Sequence, residues 1–148
     1  MKKQTVFIDM DNVLVDFKSA LPQIPTEILE NYEDNYDEIP NVFGKMLPMP
    51  DAIESYHKIA QQYDTYILST APWENPTAWH DKVVWVQQYL GDVAYKRLIL
   101  SHYKNLCIGD YLIDDRTKNG ADKFTGKLLQ FGTAEFPTWT EVCDYLGV

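Results

Sequence analysis

Cysteine is nearly absent from this chain. The two that occur, Cys107 and Cys143, lie in apolar or helical contexts and are expected to be reduced, packed thiols, not parts of a disulfide framework or a zinc site. Long apolar runs are absent as well. No window approaches the roughly 18 apolar residues of a membrane helix, and the stretch after Met1-Lys2-Lys3 is too short for the core of a secretion signal. Positive charge is scarce, with 13 Lys and Arg against 22 Asp and Glu and a net charge of −9, which argues against a protein that coats a nucleic-acid backbone. There is no internal repeat and no low-complexity tract. None of His57, His80 and His102 has a second ligand at metal spacing, so all three are read as structural or surface residues. What remains is a globular protein expected to be cytoplasmic, with neither a membrane nor a nucleic-acid polymer as partner and with homodimerisation left open. At 148 residues, 45% of them hydrophobic and 14% aromatic, it is expected to form one domain spanning 1–148.

Short β-type runs alternate with helical periodicity along the chain. Thr5-Val6-Phe7-Ile8, Thr65-Tyr66-Ile67-Leu68, Arg97-Leu98-Ile99-Leu100, Tyr111-Leu112-Ile113 and Lys127-Leu128-Leu129-Gln130-Phe131-Gly132 read as strands. Between the second run and the first, residues 51–63 repeat apolar side chains at three- and four-residue steps. A further helix is expected over about 78–90, with Val83, Val86 and Leu90 as its inner stripe and Gly91 as its stop. Thr138 and Glu141 form a capping box that opens a C-terminal helix. The pattern predicts an α/β doubly wound, Rossmann-like parallel sheet of about five strands with helices on both faces. Residues 18–48 fit neither period and carry Pro22, Pro25, Pro40 and Pro48, so they are read as a small cap insertion after strand 1, the alternative being a loose surface excursion. Within it Thr26 is expected to cap a short helix, and Glu27, Glu30, Glu33, Asp34, Asp37 and Glu38 are expected to form a solvated face.

The chemistry gathers at the strand ends. Asp9 and Asp11 follow the first strand, where in open α/β sheets ligands bind, and side chains two apart on an extended segment share a face. The same pattern also occurs as turn chemistry. Two carboxylates about 4 Å apart repel by about 4 kcal/mol at an effective dielectric near 20, so a functional pair calls for a cation, and an all-oxygen ligand set favours Mg²⁺. Ser69 and Thr70 end the second strand and can donate to phosphate oxygens. Lys104 offers a compact charge just past the third, and Asp114-Asp115 closes the fourth, repeating the logic of the first. Lys82 stands in the first turns of a helix, unfavourable for the helix dipole unless an anion lies nearby. Phe17, Phe43 and Trp73 are candidates to line a pocket or stack a base, though each could equally be an ordinary packing residue.

Asp9-x-Asp11, Ser69, Lys104 and Asp114-Asp115, in that order, resemble the motifs of the haloacid dehalogenase-like (HAD) phosphohydrolases. The strings Phe7-Ile8-Asp9-Met10-Asp11-Asn12-Val13-Leu14-Val15-Asp16-Phe17 and Tyr111-Leu112-Ile113-Asp114-Asp115-Arg116, and the step from Lys82 to Lys104, are similar to the 5′(3′)-deoxyribonucleotidases of that superfamily. Asn12 stands where the family usually has Gly, and the insertion is shorter than the family's helical cap. The resemblance implies a Mg²⁺-dependent phosphomonoesterase for nucleoside monophosphates. Asp9 would be the nucleophile and Asp11 the acid and base. Ser69, Thr70, Lys82 and Lys104 would bind the phosphate. The ion would be held by Asp9, the main-chain carbonyl of Asp11 and the Asp114-Asp115 pair, with Asp115 as the preferred direct ligand. A general small-molecule phosphatase and a non-enzymatic, receiver-like Mg²⁺-binding domain are the alternatives, the second disfavoured because Asp114-Asp115 follows the lysine instead of preceding the phospho-acceptor.

Overall fold

The computed structural model describes residues 2–148. Five strands, β1 (Thr5–Ile8), β4 (Asp64–Ser69), β5 (Leu98–Leu100), β6 (Tyr111–Asp114) and β7 (Lys127–Gln130), form one parallel sheet in the order β5-β4-β1-β6-β7. A pair of two-residue antiparallel strands, β2 (Val15–Asp16) and β3 (Leu47–Pro48), stands apart from it. β1 is central because its residues are apolar on both faces: Val6 and Ile8 point into one buried cluster and Phe7 into another.

The larger cluster takes in α2 (Ala52–Gln62), α3 (Pro76–Tyr89) and α4 (Trp139–Leu146), through Tyr56, Ile59, Trp85, Val86, Trp139 and Val142. The opposite face is smaller and is covered by 3₁₀ turns over Lys104–Leu106 and Ala121–Lys123, with Ala121 and Phe124 against Phe7, Leu68 and Leu112. The connections from β5 to β6 and from β6 to β7 are too short for full helices, so the second layer is thinner than the alternation of the sequence suggests. From β1 the chain steps outward to β4 and β5, then returns to β6 on the other side of β1. That reversal puts a crevice at the carboxyl ends of β1 and β6, the place where open α/β sheets bind ligands.

The turn after β1 is tightly wound: the Met10 carbonyl accepts from the main-chain N–H groups of Val13, Leu14 and Val15. Asn12 sits there at φ 60°, a left-handed conformation that asparagine tolerates. The β2–β3 pair then forms the neck of the insertion. Inside the insertion, 3₁₀ turns Phe17–Gln23, Tyr36–Glu38 and Val42–Lys45 flank α1 (Thr26–Asn31). Thr26 is the first helical residue and Pro25 occupies the cap position without a side-chain bond, which corrects the expected Thr26 cap; proline's fixed φ and missing N–H suit it to a helix start. Ala20, Ile24, Ile39, Val42, Phe43 and Met46 are buried in the main core. Asn75 donates to the carbonyls of Asp37 and Ile39 (2.9 and 3.0 Å), and Thr77 Oγ1 accepts from the Asn41 N–H (2.9 Å). These bonds pin the insertion to the loop after β4.

The inward face of α3 agrees with expectation at Val86 and Leu90, which are buried, but not at Val83, which is 39% exposed. Its other buried residues are Ala78, Asp81, Lys82 and Trp85. The periodicity of apolar residues missed Asp81 and Lys82 because these two inward positions are charged.

Candidate active site

The crevice gathers polar groups from the carboxyl ends of the sheet. Asp9 follows β1, Ser69 ends β4, Asp114 ends β6 and Lys104 stands in the turn beyond β5. Lys104 is buried, and its ammonium donates to Asp9 Oδ1 at 2.9 Å and to Asp114 Oδ2 at 2.5 Å. Lys82, fully buried, reaches across from α3 to both Asp11 oxygens at 3.1 Å and to Ser69 Oγ at 2.9 Å. Because α3 starts at Pro76, Lys82 is its seventh residue and lies beyond the first turn; it is burial of the ammonium that calls for an anion, and Asp11 supplies it. The Lys82 ammonium also lies 4.5 Å from the centre of the Phe43 ring.

Carboxylate oxygens of Asp9, Asp114 and Asp115 lie within 4.8 Å of one another. Burial pushes Asp114 up to about 6 and Asp115 up to about 7, with the charge of Asp9 adding to both. Burial likewise raises Asp11, against the opposing pull of Lys82. For Lys104, burial alone would lower the ammonium, but the charges of Asp9 and Asp114 outweigh it and the net direction is up. Four carboxylates against two ammonium groups leave a formal excess of two negative charges, which a divalent cation would match. The donor set fits a hard ion. Asp114 has both oxygens engaged, one by Lys104 and one by the Arg116 N–H at 3.0 Å, whereas Asp115 Oδ1 is buried without a hydrogen-bond partner. Asp115 is thus the residue with an oxygen to spare.

Above this floor opens a cleft of about 870 Å³. Asp11, Asp115 and Thr70 border it below, while Phe17, Trp73, His102, Arg116 and Lys118 contribute walls. Thr70 Oγ1 donates to the Ser101 carbonyl at 2.7 Å, tying the two loops together. Of the three aromatic candidates, Phe17 and Trp73 line the cleft, but Phe43 does not. It is buried beneath Phe17, edge to face at 5.8 Å, and acts as support. Glu33, Asp34 and Asp37 are solvent-exposed, as expected of a solvated face, and with the half-buried Glu38 they also border the cleft, because the 3₁₀ turn Tyr36–Glu38 folds back toward the strand ends. His102 also lies there. The only sequence signal for it is its position two residues before Lys104, and a lone histidine carries no metal-ligand spacing to mark it.

The profile of the family described as "5′ nucleotidase, deoxy (Pyrimidine), cytosolic type C protein" matches residues 30–141. A protein of Vibrio phage KVP40, provisionally assigned as a 5′(3′)-deoxyribonucleotidase, is 55% identical over 97% of this chain and 85% of its own length. The human 5′(3′)-deoxyribonucleotidase, cytosolic type, is 29% identical over 75% of this chain and 70% of its own. Among solved structures, the magnesium-bound HAD-hydrolase YfnB of Bacillus subtilis superposes with a TM-score of 0.68 over the whole of both chains at 13% identity, a likeness of fold alone. A HAD-superfamily hydrolase of Geobacter sulfurreducens gives 0.62 at 10% identity, over 98% of this chain and 97% of its own. With the strand-end constellation in place and matches of this extent, the chain belongs to the 5′(3′)-deoxyribonucleotidase family of HAD-superfamily phosphoric monoester hydrolases.

Proposed function

We propose that the protein hydrolyses deoxyribonucleoside monophosphates through an aspartyl-phosphate on Asp9, with residues 18–48 as the cap of a single 1–148 hydrolase domain. The observation that carries this reading is the placement of Asp9 beside the Lys104 ammonium, with Asp11 held separately by Lys82. One carboxylate is set for attack and another for proton transfer. Asp9 attacks phosphorus while Asp11, raised by burial, protonates the departing sugar oxygen; Asp11 then takes a proton from the water that hydrolyses the intermediate. Lys104 balances charge spread over the phosphoryl oxygens in the transition state, and Ser69 and Thr70 border the phosphate. Asp9, Asp115 and Asp114, with the Asp11 carbonyl, would hold Mg²⁺, which when bound neutralises and orients the phosphoryl group. The reduced state of Cys107 and Cys143 and the lack of a membrane-spanning helix among the described residues are in keeping with work in the cytoplasm.

A panel of phosphate esters tests the substrate. Stacking on one aromatic side chain is worth about 1–3 kcal/mol per base, so kcat/KM for deoxynucleotides should exceed that for sugar phosphates by about 5- to 150-fold. Equal cleavage of both would replace this reading with a general phosphatase.

The metal is testable by stability as well as by rate. In the metal-free fold burial and the charge of Asp9 favour protons on the Asp114-Asp115 pair, above all on Asp115 with its unpartnered oxygen, relative to the unfolded chain, so stability falls as pH rises from about 4 to about 7. Mg²⁺ competes with those protons, so its stabilisation should grow over the same range, and excess chelator should abolish turnover. A Tm at neutral pH that is the same in Mg²⁺ and in chelator, with activity intact, would remove the ion from the account.

A further inference from the structure

We propose that His102 contacts the nucleoside half of the substrate, and that it forms with Trp73 the wall that separates nucleotides from other phosphate esters. The inference rests on the nucleotidase reading and adds to it a residue that the motifs do not contain.

The position of His102 is set by the catalytic strands. The preceding residue, Ser101, donates its N–H to the Ser69 carbonyl at 2.9 Å and accepts from Thr70 Oγ1, so the His102 backbone is attached to the turn that carries both hydroxyls. Two residues later Lys104 reaches Asp9. The imidazole is half-buried between two indoles, its centre 5.9 Å from Trp73 in an edge-to-face arrangement and 5.9 Å from Trp79 in a tilted one. Trp79 is itself braced, donating its indole N–H to the Pro72 carbonyl at 3.4 Å.

The ring is therefore held in place by packing, yet neither of its nitrogens has a hydrogen-bond partner among the described residues, and it faces the cleft that Asp11 and Asp115 border. The residue is partly exposed at the cleft, so a ligand bound there takes the place of solvent at its nitrogens. A neutral imidazole presents one donor and one acceptor, suited to a sugar hydroxyl or a base edge. Lys104 and Ser69 already serve the phosphate. Trp73, 76% exposed at the same wall, offers a stacking surface beside it. A cleft of about 870 Å³ falls in the size range of small-molecule sites.

His102→Phe tests this, because it keeps an aromatic ring between Trp73 and Trp79 and removes both nitrogens. The readout is the ratio of kcat/KM for a deoxyribonucleoside monophosphate to kcat/KM for an aryl phosphate. The ratio should fall by about tenfold, chiefly through KM for the nucleotide, with partial recovery in His102→Gln. Loss of a packing role alone would lower both substrates together and leave the ratio unchanged, which would overturn the assignment. If the variant fails to fold, the wild-type protein decides the matter by NMR of its histidine nitrogens, with His57 and His80 as internal controls. The His102 signals should shift on addition of the deoxynucleoside product and not on addition of inorganic phosphate; the reverse pattern would refute the assignment. A wild type with no preference for deoxynucleotides overturns the nucleotidase reading and this proposal together, whereas a preference that His102→Phe retains overturns only this proposal.

Discussion

Asp9→Asn should give a folded protein whose turnover falls by at least about 10⁴-fold, the scale of removing a covalent nucleophile. The amide fills the same space at the end of β1, where the main-chain N–H of residue 9 still donates to the Ile113 carbonyl at 2.9 Å. Removing one charge from the crowd of Asp9, Asp114 and Asp115 relieves repulsion, so metal-free thermal stability at neutral pH should hold or rise. Circular dichroism and a melting curve measure the fold, and phosphate release measures the rate. A variant with wild-type melting and near-normal turnover would show that the nucleophile lies elsewhere.

Lys104→Ala should lower kcat/KM by about 10² or more, the cost of losing one preorganised electrostatic stabiliser. Its ammonium is buried at 2.9 Å from Asp9, the proposed nucleophile, where solvent cannot stand in for it. Lys82→Ala should behave differently from the loss of a simple phosphate ligand. Lys82 holds Asp11, the proposed acid-base residue, and the hydroxyl of Ser69, so its loss should reach kcat and leave Asp11 without its ion-pair partner. A Lys104→Ala enzyme within threefold of wild type would return that lysine to a structural role. A Lys82→Ala effect confined to KM would place Lys82 on the substrate and not on Asp11.

The strands and the groups at their ends were legible in the sequence because both signals are local. An apolar run such as Thr5–Ile8 stops at a carboxylate, and parallel topology then brings all such ends to one edge. The order of the sheet explains why Asp9 and Asp114, 105 residues apart in sequence, share one lysine. Properties that depend on distant packing were less legible. Phe43 looked like a candidate pocket aromatic, but the 3₁₀ turn Val42–Lys45 carries it under Phe17 and against α3. The acidic residues at 33, 34 and 37 are solvated as their composition suggests, but nothing in their spacing shows that Asn75 draws Asp37 and Ile39 down onto the loop after β4 and so brings this segment to the rim of the cleft. On α3 the apolar periodicity located Val86 and Leu90 but not the charged inward positions Asp81 and Lys82. Lys82 counts as polar in any periodicity, yet Asp11 and Ser69 together make burial of its charge tolerable.

Direct capture of the covalent intermediate tests the central claim most closely. Asp11→Asn should slow hydrolysis of the aspartyl-phosphate more than its formation from an aryl phosphate, whose leaving group needs little protonation. Rapid acid quench of that variant with a ³²P-labelled aryl phosphate and Mg²⁺ should yield protein-bound label approaching one phosphate per chain. The label should be released by hydroxylamine as an acyl phosphate, map to the peptide containing Asp9, and be absent when Asp9 is also Asn. Aryl phosphate turnover with no protein-bound label, or label on any other residue, would contradict the account.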